Sequence, residues 1–189
     1  MRLRRRPPIP VPGPGPNRVP RPWNRPETEF PGIVPIGSLM FERSEQAAIA
    51  ITGISAYTNG FEFALTRLIR PGAPGWDGGI MPAAPRDWRA VDRAAQISLQ
   101  LSDGRKVIGD RPHSDSEPPG PILRPGGGGG TSHYQLVRWW AWPLPPPGTL
   151  EFICQWPTFG IGETRVSVDA QLILDAARRS VRLWPDDDS

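Results

Sequence analysis

The segment from residue 139 to residue 157 restricts the fold of this chain more than any other stretch. It holds four of the eight tryptophans and five prolines. Proline has no amide donor and cannot continue a helix, so the run from Pro143 to Gly148 predicts a stiff turn between two strands. After this turn, every second residue from Leu150 to Trp156 is apolar, which is the period of a strand with one buried face. We therefore predict an aromatic β-hairpin over residues 133–156.

The first strand of this hairpin has tryptophans on both faces. Trp140 and Trp142 share one face, and Trp139 lies on the other. We predict that Trp140 and Trp142 face the core with Trp156, because tryptophan is highly buried on average. Trp139 then lies outside. Cys154, the only cysteine, is predicted to be a small buried hydrophobic residue and not a nucleophile.

Three tryptophans are candidate ligand-binding residues. Trp139 is the first, and Trp76 and Trp88 lie in a long loop rich in proline and glycine over residues 70–90. Exposed aromatic rings of this kind stack on sugars or bases. The alternative is that Trp139 only completes a packed surface. The sequence leaves both interpretations open.

A second hairpin is predicted around Asn59-Gly60. Asparagine and glycine accept the positive φ angles of a two-residue type I′ turn. The strands would span residues 49–58 and 61–69, with Thr58 opposite Phe61. In this register Ala56 and Phe63 share the better core face.

The remaining pattern is typical of a mainly β protein. Its 26 prolines and 21 glycines make up about a quarter of the chain, which suits turn-rich β structure. Residues 94–102 alternate as a strand does, and residues 170–184 carry an apolar stripe at helical spacing behind Asp169, a good N-cap. We predict an antiparallel β-sandwich with one C-terminal α-helix. An immunoglobulin-like sandwich is one version of this architecture.

The domain is expected to span residues 32–185, between a Pro/Arg-rich disordered arm at 1–31 and an acidic tail at 186–189. The arm carries seven arginines and two glutamates, whereas the remainder of the chain is slightly acidic. The net charge of +3 for the whole chain is therefore due to the arm. Binding of nucleic acid is therefore expected only through arginines of the arm (Arg2, Arg4, Arg5 and Arg6). Apolar runs that could span a bilayer or form a signal peptide are absent from the sequence, so a cytoplasmic location is expected.

The chain is not expected to be an enzyme. Its two histidines, His113 and His133, lie beside polar or glycine-rich loops, and His113-Ser114-Asp115 places triad residue types next to each other without the spatial convergence that a triad needs. Gly126 to Gly130 lacks the lysine and helix of a phosphate-binding loop and predicts a flexible hinge. We predict neither a metal site nor a cofactor.

Residues 53–63, residues 142–156 and the start of a strand at Glu163 resemble segments of small actinobacterial proteins. The resemblance implies no function, site or cofactor. The functional hypothesis is therefore a non-catalytic interaction module that binds a protein partner or forms a homo-oligomer. The alternatives are a carbohydrate-binding module that uses Trp139, Trp76 or Trp88, and nucleic-acid tethering through the arm.

Overall fold

The computed structural model describes residues 21–24, 28–73, 95–109, 117–131 and 133–183. Within these ranges the chain is mainly β, with antiparallel sheets and one helix near the C-terminus, as predicted. The strands are β1 (Glu29–Phe30), β2 (Gly32–Ile33), β3 (Leu39–Arg43), β4 (Ala47–Ala56), β5 (Phe61–Ile69), β6 (Gln96–Gln100), β7 (Lys106–Ile108), β8 (Ile122–Gly130), β9 (Tyr134–Trp142), β10 (Thr149–Trp156), β11 (Ile161–Asp169) and β12 (Val181–Arg182), and the helix is α1 (Ala170–Ala177).

Two sheets form the sandwich. The large sheet has the order β2-β4-β5-β9-β8, and β3 lies beside β4 on the same edge as β2. The small sheet has the order β11-β10-β6-β7. A bridge between Gly109 and Leu123 joins the two sheets at one edge. Strands β1 and β12 pair only with each other among the described strands and form a separate two-stranded ribbon.

The core lies between the inner faces of the two sheets. Phe63 of the large sheet meets Phe152 of the small sheet edge to face, with ring centroids 5.0 Å apart. Both side chains are fully buried, and complete burial of a phenylalanine contributes about 1.5–3 kcal/mol. The predicted inward residues of the strand at 94–102 are also buried, opposite β10 (Ile97, Leu99 and Leu101).

The hairpin β4–β5 exists, but its predicted register is wrong. Ala56 lies opposite Phe61, so four residues form the loop and not two. The Tyr57 amide closes this loop by donating to the Gly60 carbonyl at 2.8 Å. Since the shift is two residues, Ala56 and Phe63 keep the predicted face. A bulge between Ile51 and Ile54 then reverses the alternation farther down β4 and brings Ile51 into the core.

The glycine run at 126–130 is not the predicted hinge. It continues β8, and Gly128 lies opposite Val137 of β9. A Cβ atom at Gly128 would stand 2.5 Å from the Leu136 carbonyl oxygen. The absence of side chains thus lets the edge strand approach its neighbour closely, an effect that the sequence pattern does not reveal.

Helix α1 is shorter than the predicted span of residues 170–184. Its start is as predicted, because the Asp169 carboxylate accepts a hydrogen bond from the Gln171 amide at 2.9 Å. It ends at Ala177, where the Ser180 hydroxyl donates to the Ala177 carbonyl, and the chain then enters β12. The buried face of the helix packs against β4, β2 and β11 (Ala170, Ile173, Ala176 and Ala177).

Part of the predicted arm contacts the domain. Glu29 and Phe30 form β1, and the Pro22 carbonyl accepts a hydrogen bond from the Asn59 side-chain amide at 3.0 Å. Trp23 meets Trp142 edge to face at 6.2 Å. These positions of the predicted arm therefore contact the sheet and the loop between β4 and β5.

Candidate interaction surface

The face assigned to Trp139 from the sequence is wrong. Trp139 lies opposite Phe63 on the inner face of the large sheet, and its ring packs against the core beside Gly109. Its indole nitrogen is buried without a hydrogen-bond partner in the described part of the chain. Only part of the ring is open to solvent, and binding of a ligand there stays a prediction.

Trp140 is buried as predicted, but on the outer face of the large sheet. It is 3% exposed and lies opposite Glu62. Tyr57 meets it edge to face at 5.8 Å, and the Trp23–Trp142 pair continues the same aromatic cluster. Sequence reasoning missed this cluster because it assigns Trp140 and Trp142 to the core and Trp23 to the arm.

Two ionisable groups beside this cluster are electrostatically perturbed. Burial raises the pKa of Glu62, and the Arg138 guanidinium opposes that shift. Burial also raises the pKa of Tyr57, with a smaller contribution in the same direction from the Glu62 carboxylate. Glu29 fixes the adjacent loop by accepting a hydrogen bond from the Thr58 amide. These groups hold the loop against the sheet, and a carboxyl with a raised pKa can donate a hydrogen bond more readily than an ordinary glutamate.

The ribbon carries a group of exposed apolar side chains, which we call the ribbon face. Phe30 and Val181 are direct cross-strand partners, and they are 64% and 57% exposed. Leu183, directly after β12, is 40% exposed, and Ile33 of the following strand β2 is 65% exposed. The Arg179 guanidinium donates to the Ile33 carbonyl at 3.2 Å, which places an arginine beside this face.

Arg67 is a buried cation on the inner face of the large sheet. It is 9% exposed, and its guanidinium carbon lies 5.6 Å from the centre of the Trp156 ring. Its Nε has no hydrogen-bond partner among the residues that the structure describes. Burial lowers the pKa of Arg67. The Coulombic interaction with the sulfur of the neighbouring Cys154 opposes this shift.

Cys154 is buried as predicted, at 1% exposed. Burial raises the pKa of its thiol to about 12, although Arg67 favours the thiolate. A thiol in this environment stays protonated at neutral pH, so it does not act as a nucleophile or as a metal ligand there.

An open cleft of about 550 Å³ lies where β3, β4 and β5 meet at one end of the large sheet. Its walls are apolar at Ala48, Leu68 and Ile69, basic at Arg43 and Arg70 and acidic at Glu45. Ala47 and Ile69 form a cross-strand pair in this wall. Ile69 is two positions along β5 from Arg67, so the cleft opens near the buried cation.

Several predicted binding residues lie outside the described residues (Trp76, Trp88, Arg2, Arg4, Arg5 and Arg6). Of the two histidines that were not expected to be catalytic, His113 also lies outside the described residues and His133 is exposed. A search of the described residues found no group of three or more histidine, cysteine, aspartate or glutamate side chains that could hold a metal ion. Among the same residues, no helix has the length and apolar character needed to cross a membrane.

Comparisons with known proteins returned no match to a protein-family model, to a curated protein or to a solved structure.

Proposed function

We propose that this domain is a non-catalytic interaction module that binds an acidic, extended segment of a protein partner through the ribbon face. The observation that carries the proposal is the cross-strand pair Phe30–Val181, whose members are both more than half exposed. Single exposed apolar residues are normal on protein surfaces. A group of them on one small ribbon is typical of a binding site.

The backbone of the ribbon supports an extended partner. Within the described chain, no third strand pairs with β1 or β12, so each strand of the ribbon is an edge strand. Such edges accept an added strand, and the main-chain hydrogen bonds then supply affinity while side-chain pockets supply specificity. Phe30 and Val181 would provide the apolar contacts next to that edge.

The charges around the ribbon face favour an acidic partner over a second copy of the chain. Arg179 and Arg182 are exposed after α1 and in β12, and so is Arg178, which already forms an ion pair with Asp175. A two-fold pairing of two ribbons would bring these arginines towards their own copies, and like charges across an interface are unfavourable. Carboxylates of a partner would instead complement them.

A binding measurement with a defined peptide tests this proposal. The probe is a fluorescently labelled peptide of alternating glutamate and valine, and its lysine–valine counterpart is the charge control. We expect anisotropy to report binding of the acidic peptide only. The double substitution Phe30→Ser and Val181→Ser should weaken that binding by about tenfold or more, because two apolar contacts are lost.

The matched control is Ile108→Ser. Ile108 is 70% exposed, but it lies on β7, at the opposite end of the small sheet from the strand that contacts α1. This variant should bind as the unaltered protein does. Equal loss in both variants, or equal binding of both peptides, would contradict the proposal. A concentration-dependent dimer in sedimentation experiments that Phe30→Ser/Val181→Ser abolishes would replace the acidic partner by a second copy.

A further inference from the structure

Arg67 lies where most proteins place an apolar residue. Its neighbours along the inner face of β5 are Leu65 and Ile69, both buried, and its backbone partners on adjacent strands are Ile49 and Gln135. Trp156 from the small sheet lies across from its guanidinium. The cation is thus held between the two sheets, where water can hydrate it only in part.

The charge of Arg67 is not neutralised within the described residues. Its Nε is buried without an acceptor, and the contact to Trp156 supplies a cation–π attraction but no hydrogen bond. The ion pairs among these residues all involve other arginines (Arg105, Arg165 and Arg178). Burying a charge without a counter-ion costs free energy. An anion bound to the Arg67 guanidinium would offset that cost.

We propose that Arg67 is an anion-binding residue that receives a small ligand bearing a carboxylate or a phosphate. The open Nε is the reason for this choice of ligand. Nε and one terminal nitrogen of a guanidinium form two parallel donors that match the two oxygens of a carboxylate or phosphate. The Trp156 ring centre lies 5.6 Å from the guanidinium carbon, so the aromatic ring occupies one side of the cation.

A ligand that enters through the nearby cleft would reach Arg67 only after the Ile69 and Ala47 side chains move aside, because Arg67 is not among the residues that line the cleft. The walls carry Arg43 and Arg70 together with Glu45, so arginines outnumber the acidic residue there. Arginines near an opening raise the local concentration of anions. The apolar walls at Ala48 and Leu68 fit a ligand with an apolar body attached to the anionic group.

Thermal unfolding at constant ionic strength tests the inference, with sodium phosphate or sodium acetate replacing sodium chloride. Ligands that bind only the folded state raise the melting temperature with concentration. We expect a rise of roughly 3 °C or more in the unaltered protein at saturating anion. The variant Arg67→Met, which keeps the length of the side chain and removes its charge, should show no rise. Arg105→Met, at an exposed arginine in the turn before β7 and outside the cleft, is the matched control and should retain it.

Isothermal titration with phosphate and with acetate gives the second measurement. Heat of binding should be present in the unaltered protein, absent in Arg67→Met, and strongly reduced in Arg67→Lys, which keeps the charge but loses the pair of parallel donors. Equal stabilisation of all variants would show a general salt effect and would overturn the inference. So would an absence of any anion effect in the unaltered protein.

One further result would also overturn it. Asp77, Asp87 and Asp92 lie in the sequence between β5 and β6. If their joint replacement by asparagine lowered the melting temperature of the unaltered protein but not that of Arg67→Met, a carboxylate of the chain itself would be the counter-ion. If the replacement lowered the melting temperatures of both proteins equally, these carboxylates would not be the counter-ion of Arg67. The anion titration would then decide the inference. The test is independent of the ribbon face, because Phe30→Ser/Val181→Ser should leave the anion effect unchanged.

Discussion

Helix α1 packs tightly against β2 at Gly32, and adding one methyl group there should displace the helix. A Cβ atom at Gly32 would lie 1.8 Å from the Ala176 carbonyl oxygen. Ordinary contacts between carbon and carbonyl oxygen are about 3.3 Å or longer. Gly32→Ala therefore requires β2 and α1 to separate by about 1.5 Å.

The burial of the residues around this contact indicates how much free energy of unfolding the separation would cost. The helix residues next to the contact are fully buried, with Ile173 and Ala176 both at 0% exposed. Overpacking of this kind costs typically about 1–3 kcal/mol, and partial loss of the Ile173 contacts adds to it, since full burial of isoleucine contributes about 1.5–3 kcal/mol. We expect a loss of about 3 kcal/mol in the free energy of unfolding. In a chain of this length the melting temperature should fall by roughly 6–12 °C.

Gly37→Ala is the matched control. Gly37 lies between β2 and β3, and nothing stands within 4 Å of a Cβ atom built there. Neither glycine has a positive φ that would strain alanine. The control should be neutral or slightly stabilising, because alanine restricts the unfolded chain.

Urea unfolding monitored by tryptophan fluorescence measures both variants. The additional variant Ala176→Gly should not rescue Gly32→Ala, because the clash is with a backbone oxygen and not with the Ala176 side chain. If Gly32→Ala and Gly37→Ala differed by less than about 0.5 kcal/mol, the close packing of α1 on β2 would be refuted.

Three further predictions concern single groups. Cys154 should not react with Ellman's reagent at pH 8 until denaturant is added, because a pKa of about 12 leaves a thiolate fraction on the order of one in ten thousand; rapid reaction of the native protein would contradict its burial. Asp169→Ala should cost about 1 kcal/mol in urea unfolding by removing the helix cap, whereas Asp169→Asn should cost less. Since the pKa of Glu62 is raised in the folded protein, stability should be lost as the pH rises from its unfolded value through its folded value. Glu62→Gln should therefore have the higher melting temperature at pH 7 and lose this advantage at pH 4, and a difference that does not change with pH would argue against the shift.

The strand periods and the helix cap could be predicted from the sequence because each depends on local chemistry. Alternation in residues 94–102 and after Leu150 has one physical solution, a strand with one buried face. Asp169 lies between the strand before it and the apolar helical stripe after it, which is the position of an N-cap. The mainly β class follows from these elements and from the proline turns.

The face of β9 could not be predicted from its own pattern, since it has tryptophans on both sides. The outcome depends on Tyr57 and Trp23, which cover the outer face around Trp140 and come from a loop and from the arm. The β4 bulge is a similar case, because it reverses the alternation with no insertion signal except Gly53. Residues 126–130 have no side chains to show a pattern at all.

The candidate surfaces were missed for the same reason. Phe30, Val181 and Leu183 form one face only after β1 and β12 pair across most of the chain length. Arg67 shares the predicted core face of its strand with Phe63, but only the packing of the two sheets shows that Trp156 of β10 lies across from it. Long-range strand pairing therefore determines the candidate binding surfaces, whereas local chemistry determines the individual strands and the helix.

The pairing of β1 with β12 also determines how the domain would respond to mechanical load. Glu29 lies opposite Arg182 and Phe30 opposite Val181, so residues 28 and 183 leave the ribbon at the same end. A force applied at these two points pulls the strands apart sideways, and the bonds of an antiparallel pair loaded in this way break one after another. With only two residue pairs in the ribbon, it should open at low force. The sandwich behind it, with longer strands and a buried core, should then carry the remaining load.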